Sequence, residues 1–121
     1  MLVDGNDLEI IKNKLKKYNK SQIEYNEKDN HCTLNSVRRG VSFNEVETNL
    51  LNPENLKFAT KEKQKFRNEE KYVLYFESKD SDKTIVLPVI FKPKSLYVLT
   101  IIKRWRSWDK EIERWKEKLQ K

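Results

Sequence analysis

The hydrophobic period of this chain changes from helical to alternating at Asn52-Pro53, and that change constrains the fold more than any other feature. Before it, apolar residues recur three and four apart, the spacing of one helix face; after it they alternate or run together, as in strands. Leu8, Ile11, Leu15 and Tyr18 predict a first helix that Asn6 or Asp7 can cap, with Lys12, Lys14, Lys16 and Lys17 on its other side. Residues 22–26 are a candidate short strand. Residues 31–39 predict a second helix with Leu34 and Val37 facing inward and Gly40 as its stop. Ser42 reads as the N-cap of a third helix, where Glu45 completes a capping box and Val41 and Val46 form a hydrophobic staple. Val46 and Leu50 continue its buried stripe until Asn52-Pro53 ends it.

Beyond Pro53, residues 56–59 predict a strand and residues 60–70 a charged loop. The segments KYVLYFE (71–77), TIVLPVIF (84–91) and LYVLTIIK (96–103) predict three more strands, with turns at 79–82 and 92–95. Pro88 lacks an amide donor and implies an edge or a bulge. The last of these strands is the most apolar and is expected to be central. Short connections imply an antiparallel meander. Trp108, Ile112, Trp115 and Leu119, spaced 4, 3 and 4, predict a closing helix over residues 107–119. The fold class is therefore α+β: N-terminal helices, then a three- to four-stranded antiparallel sheet, then a C-terminal helix. At 121 residues the chain suits a single domain, residues 1–121.

Charge is unevenly placed. The net +7 lies wholly in the second half, since residues 1–60 hold nine basic and nine acidic side chains. Between Lys83 and Trp108 stand Lys92, Lys94, Lys103, Arg104 and Arg106 without one acid. Such a block attracts polyanions, and nucleic acid is the commonest of these in a cell. A solvated lysine-rich face is the plainer alternative. No apolar run approaches the ~18 residues of a membrane span, and the N-terminus lacks the basic-then-apolar pattern of a secretory signal. Cys32 is alone, which fits a reducing compartment. These features predict a cytoplasmic protein without a membrane partner. One His and one Cys cannot make a zinc site without carboxylates at suitable spacing, so no metal or other cofactor is expected. With only Gly5 and Gly40, a glycine-rich phosphate loop is excluded.

His31, then Arg39-Gly40, Val41-Ser42, Glu45-Val46-Glu47 and Asn52-Pro53 stand in one register. In this the chain resembles a prokaryotic family of small domains related to the BrnT toxins and, more distantly, to RelE-type ribonuclease toxins. The resemblance covers about residues 22–103; the N-terminal amphipathic helix (1–20) and the tryptophan-rich C-terminal helix (104–121) lie outside it. It implies a toxin of a type II toxin–antitoxin pair, a metal-independent endoribonuclease with RNA as substrate, sometimes on the ribosome, and a cognate antitoxin as partner. By position, His31 and Arg39 match the family motif.

Cleavage by the ribose 2′-hydroxyl needs a base, positive charge on the transition state and an acid for the leaving oxygen. Histidine exchanges a proton near neutral pH, and arginine holds phosphate. Lys103 and Arg104, at the exit of the last strand, are candidate phosphate ligands on chemical grounds, and Arg106 follows them. Lys92 and Lys94 extend the basic surface. Tyr97 and Tyr75 are candidate acids or base-stacking groups, and Trp105, off the stripe of Trp108 and Trp115, is a candidate for stacking. Each has a structural alternative: His31 bonding a carbonyl, Arg39 meeting Glu45 or Glu47, the tyrosines packing in the sheet, Cys32 filling an apolar helix position. Two further functions stay open, a non-catalytic nucleic-acid-binding module and a protein-interaction domain. The amphipathic first and last helices could form a homodimer or antitoxin interface.

Overall fold

The computed structural model describes residues 5–62, 70–77 and 84–104. The chain order is α1 (Gly5–Lys16), β1 (Ile23–Tyr25), α2 (His31–Arg39), α3 (Phe43–Leu51), β2 (Leu56–Glu62), β3 (Glu70–Glu77), β4 (Thr84–Phe91), β5 (Leu96–Val98) and β6 (Ile102–Arg104). The α+β architecture and all three N-terminal helices agree with the sequence reading. Helix α1 begins at Gly5, so Asn6 and Asp7 lie within its first turn rather than capping it as expected; the turn at 79–82 and the C-terminal helix at 107–119 lie outside the described residues. Among the described residues no helix is long and apolar enough to cross a membrane.

The sheet corrects the expected antiparallel meander. It has six strands in the order β1-β5-β4-β3-β2, with β6 also paired to β4. Strands β2, β3, β4 and β5 do run antiparallel in sequence order. Strand β1, however, adds to β5 in parallel, Ile23 opposite Leu96, which makes the sheet mixed. Short connections dictate direction only between consecutive strands. β1 and β5 are separated by the whole middle of the chain, and no local rule couples them.

Residues 96–103 also differ from a single central strand. Val89 opposes Val98, and Val86 opposes Ile102, so two residues of β4 face three on the other strand. The extra residue breaks the strand into β5 and β6 around Leu99, Thr100 and Ile101. Pro88 sits where the register slips, and its carbonyl still accepts from the Leu99 amide at 2.9 Å. The missing amide hydrogen of Pro88 thus falls at a bulge, one of its two expected settings, although β4 is an interior strand. β4 has neighbours on both sides along most of its length and is the centre of the sheet.

One face of the sheet carries the helices. Ile11 and Leu15 of α1, Cys32 of α2, and Val46 and Leu50 of α3 join Leu74, Phe76, Ile85, Leu87, Val89 and Leu96 in one buried cluster. Fully burying each large apolar side chain contributes about 1.5–3 kcal/mol. Phe58, Val73 and Val86 are buried outside that cluster. Ser42 caps α3 by accepting from the Glu45 amide at 3.1 Å, and Val41 and Val46 are both buried, as the sequence predicts. Gly40 ends α2 with φ +64°. The Gly40 amide donates to the Val37 carbonyl and the Val41 amide to that of Ser36, the bond pair of a Schellman ending.

Helix α2 reverses the expected orientation. Leu34 and Val37 are 46% and 77% exposed, while Cys32 is fully buried. At 3.6 residues per turn, Leu34 and Val37 lie about 200° and 140° around the helix from Cys32, so burying one side exposes the other. Polar bonds select the cysteine side. The Cys32 amide donates to the Asn26 carbonyl at 3.1 Å, and Cys32 Sγ lies 3.6 Å from the Val98 carbonyl oxygen.

Candidate functional site

The break between β5 and β6 is where the first helix-borne candidate meets the sheet. Asn26 spans the same place: its amide donates to the Val98 carbonyl at 2.8 Å and its side chain to that of Leu99 at 3.3 Å. The start of α2 is thereby tied to the strand break. Asp29 and Asn30, just before the helix, both adopt left-handed backbone at φ 56° and 57°. Outside glycine, these two residue types tolerate that region best, and each still costs about 1–2 kcal/mol. Strain of this kind tends to sit beside functional residues.

His31 opens the helix and is exposed. Asn35, one turn on, has Nδ2 at 3.3 Å from His31 Nε2 and donates to Thr100 Oγ1 at the same distance. The imidazole is thus linked through Asn35 to the strand break. Asn35 can serve either protonation state. Its Nδ2 donates to a bare Nε2, and after a half-turn of the amide its Oδ1 accepts from a protonated Nε2. The second arrangement leaves Nδ1 to take a proton.

Glu27 was not legible as part of this region. Its carboxylate accepts from the Thr33 amide at 3.0 Å and from the Thr33 hydroxyl. The anion position at the helix start is therefore filled by the protein's own side chain. A glutamate six residues before its partner matches no capping spacing, which is why the sequence concealed it.

The other candidates fall into separate places. Arg39 ends α2, eight residues from His31, about 12 Å along the helix axis. It is exposed, and among the described residues neither Glu45 nor Glu47 pairs with it; Glu47 instead pairs with Lys20 at 3.6 Å and accepts from Tyr25. Lys103 lies in β6 opposite Ile85 and so on the helix face of the sheet, half-buried. From Cys32 beside Val98 to Asn35 beside Thr100, α2 and the strand advance together, and α2 also touches β6. The Arg39 end of α2 is accordingly the end nearer Lys103. Arg104 pairs by its backbone with Thr84. Trp105 and Arg106 lie outside the described residues.

Lys92, Lys94 and Tyr97 gather at the opposite end of β5. Lys92 Nζ stands 4.7 Å from the Tyr97 ring centroid, and the carbonyl of exposed Lys94 accepts from Gln22. Tyr75 belongs to neither group; its ring packs tilted against buried Phe58, centroids 5.1 Å apart, across β2 and β3. Burial pushes the Cys32 thiol up to about 11, so it stays protonated near neutral pH and is no nucleophile. Burial, and then Glu47, raise the Tyr25 phenol as well, which suits a packing residue rather than an acid for catalysis. Among the described residues no three of His, Cys, Asp or Glu gather into a metal-holding group.

The geometry therefore offers a positioned, accessible histidine, a basic end of the same helix near Lys103, and a separate lysine–aromatic group beyond β5. Comparison of the chain with family models, curated proteins and solved structures gives no match.

Proposed function

We propose that this protein is a cytoplasmic RNA-binding domain that cleaves RNA without a metal, a toxin-type endoribonuclease as its resemblance to BrnT-related and RelE-type proteins implies. The observation that carries the reading is the Asn35 link from the exposed His31 imidazole to Thr100. It holds a proton-exchanging group on the same side of the sheet as Lys103.

In this reading the 2′-hydroxyl proton passes to Nδ1 of His31 while the 2′-oxygen bonds to the adjacent phosphorus. Lys103, on the helix face of the sheet and nearer the Arg39 end of α2, contributes positive charge along the bound strand's phosphates. The 5′-oxygen leaves with a proton from water, and His31 returns its proton to the hydroxide so formed. The products are a 2′,3′-cyclic phosphate and a free 5′-hydroxyl. Arg39, about 12 Å from His31 along the helix, contacts a neighbouring phosphate rather than the scissile one. Leu34 and Val37, exposed on the same helix, are where the implied antitoxin would dock and cover His31.

His31→Ala is expected to lower cleavage of single-stranded RNA by about 10²–10⁴-fold, the usual contribution of a general base, while RNA binding is retained. Wild-type protein that binds RNA but does not cleave it would replace this reading with a non-catalytic RNA-binding module. The separation of His31 from Arg39 favours that second reading. Affinity that does not fall with rising salt would remove both.

A further inference from the structure

The sheet face turned away from the helices is buried, yet among the described residues no helix packs on it. Leu74 and Leu87 belong to the helix-side cluster, so their neighbours along each strand point the other way. The register aligns Phe58, Tyr75, Val86 and Ile102 in one row across that far face, from β2 through β3 and β4 to β6. Val73 stands one row further along β3. Phe58 is 1% exposed, Val86 5% and Val73 9%, and none of the three joins the helix-side cluster. Phe58 lies on the edge strand β2, which has a neighbouring strand on one side only. Neighbours within the sheet cannot close off such a side chain. A layer must lie over it.

Outside the described residues, one segment has the apolar side chains for that layer. Residues 78–83 carry none, residues 63–69 only Phe66, and residues 1–4 lead into α1 on the helix side. Residues 105–121 carry Trp105 and the stripe Trp108, Ile112, Trp115 and Leu119. They follow directly from β6, whose Ile102 belongs to the far-face row. At helical rise, the eleven steps from Trp108 to Leu119 span about 16 Å. The row from β6 to β2 is three strand spacings wide, about 14 Å. The other apolar surface within reach is α2, which touches β6. Leu34 and Val37 stay exposed there, and a segment seated on them would bury them.

We infer that residues 105–121 form the layer over the far face of the sheet, with Trp108, Ile112, Trp115 and Leu119 packed on Phe58, Val73 and Val86. The inference does not rest on the function proposed above. It leaves Leu34 and Val37 open to a partner and withdraws Trp108 and Trp115 from RNA. The test uses the full chain, whose three tryptophans all lie in this segment, so that indole signals report it alone. Nuclear Overhauser contacts are expected from the Trp108 and Trp115 rings to the methyl groups of Val73 and Val86. Contacts to Leu34 and Val37 instead, or indoles without any contact to the sheet, would overturn the assignment. So would contacts seen only between a labelled and an unlabelled copy, which would put a second molecule on this face. Acrylamide quenching gives a second reading: the wild type is expected to be quenched far less than the urea-unfolded chain. Val86→Lys, which sets a charge under the layer, is expected to raise quenching towards the unfolded level, and Leu34→Lys to leave it unchanged. The reverse ranking would overturn the assignment, and the wild-type contacts decide it if Val86→Lys does not fold.

Discussion

Gly40 joins α2 to α3 and so sets where His31 and Arg39 lie relative to the sheet. Its φ of +64° lies in the left-handed region, yet a Cβ built there meets nothing within 4 Å. Replacing it by alanine therefore adds no clash, and the whole effect is conformational. The left-handed backbone costs an L-residue about 1–2 kcal/mol. Alanine recovers about 0.4–1 kcal/mol by restricting the unfolded chain. The expected net loss for Gly40→Ala is about 1 kcal/mol. For a domain of this size that is a fall in Tm of about 4 °C, or a shift in urea midpoint of about 0.5 M with the slope unchanged. Gly40→Asn should lose less, because asparagine tolerates the left-handed region better. Urea unfolding followed by circular dichroism reads both. An alanine variant as stable as wild type would show that Gly40 is not left-handed in solution. A loss above about 3 kcal/mol would show that the space around it is filled.

Two further outcomes follow from burial and charge. Leu34→Lys and Val37→Lys should each change stability by less than about 0.5 kcal/mol, because both side chains are exposed. Leu50→Ala, at a fully buried position, should cost about 2–5 kcal/mol. Losses above about 2 kcal/mol for the two lysine variants in chemical unfolding would turn α2 over. The Lys14 partner, hydrogen-bonded and adjacent, holds the Glu70 carboxyl below its ordinary range in the folded state. A depressed folded pKa stabilises above the unfolded value of about 4.3 and is lost as pH falls through the folded one. Wild type should therefore be more stable than Glu70→Gln at pH 7, with the gap closing below about pH 4. A gap that stays constant with pH would show that the pair contributes nothing.

The helices were legible because their signals are local. Ser42 and Glu45 stand three residues apart, Val46 and Leu50 four apart, and Gly40 directly follows the last turn of α2. Each device works within one or two turns of backbone, so residue order alone carries it. The strands of β3 and β4 were legible for the same reason, and Pro88 announced the bulge because a missing donor is a property of the residue itself.

Which side of α2 faces the core was decided elsewhere. By hydrophobicity alone Leu34 and Val37 should be buried, but the Cys32 side meets the Val98 and Leu99 carbonyls and the Asn26 backbone. The same long-range packing puts Asn35 between His31 and Thr100, lays β1 parallel to β5, and brings Lys14 and Glu70 together from positions 56 residues apart. The order of residues therefore determined the helices, the strand segments and the charged block. Tertiary structure decided the side of α2, the parallel strand and the grouping of candidate site residues, because these depend on contacts between segments that no periodicity connects.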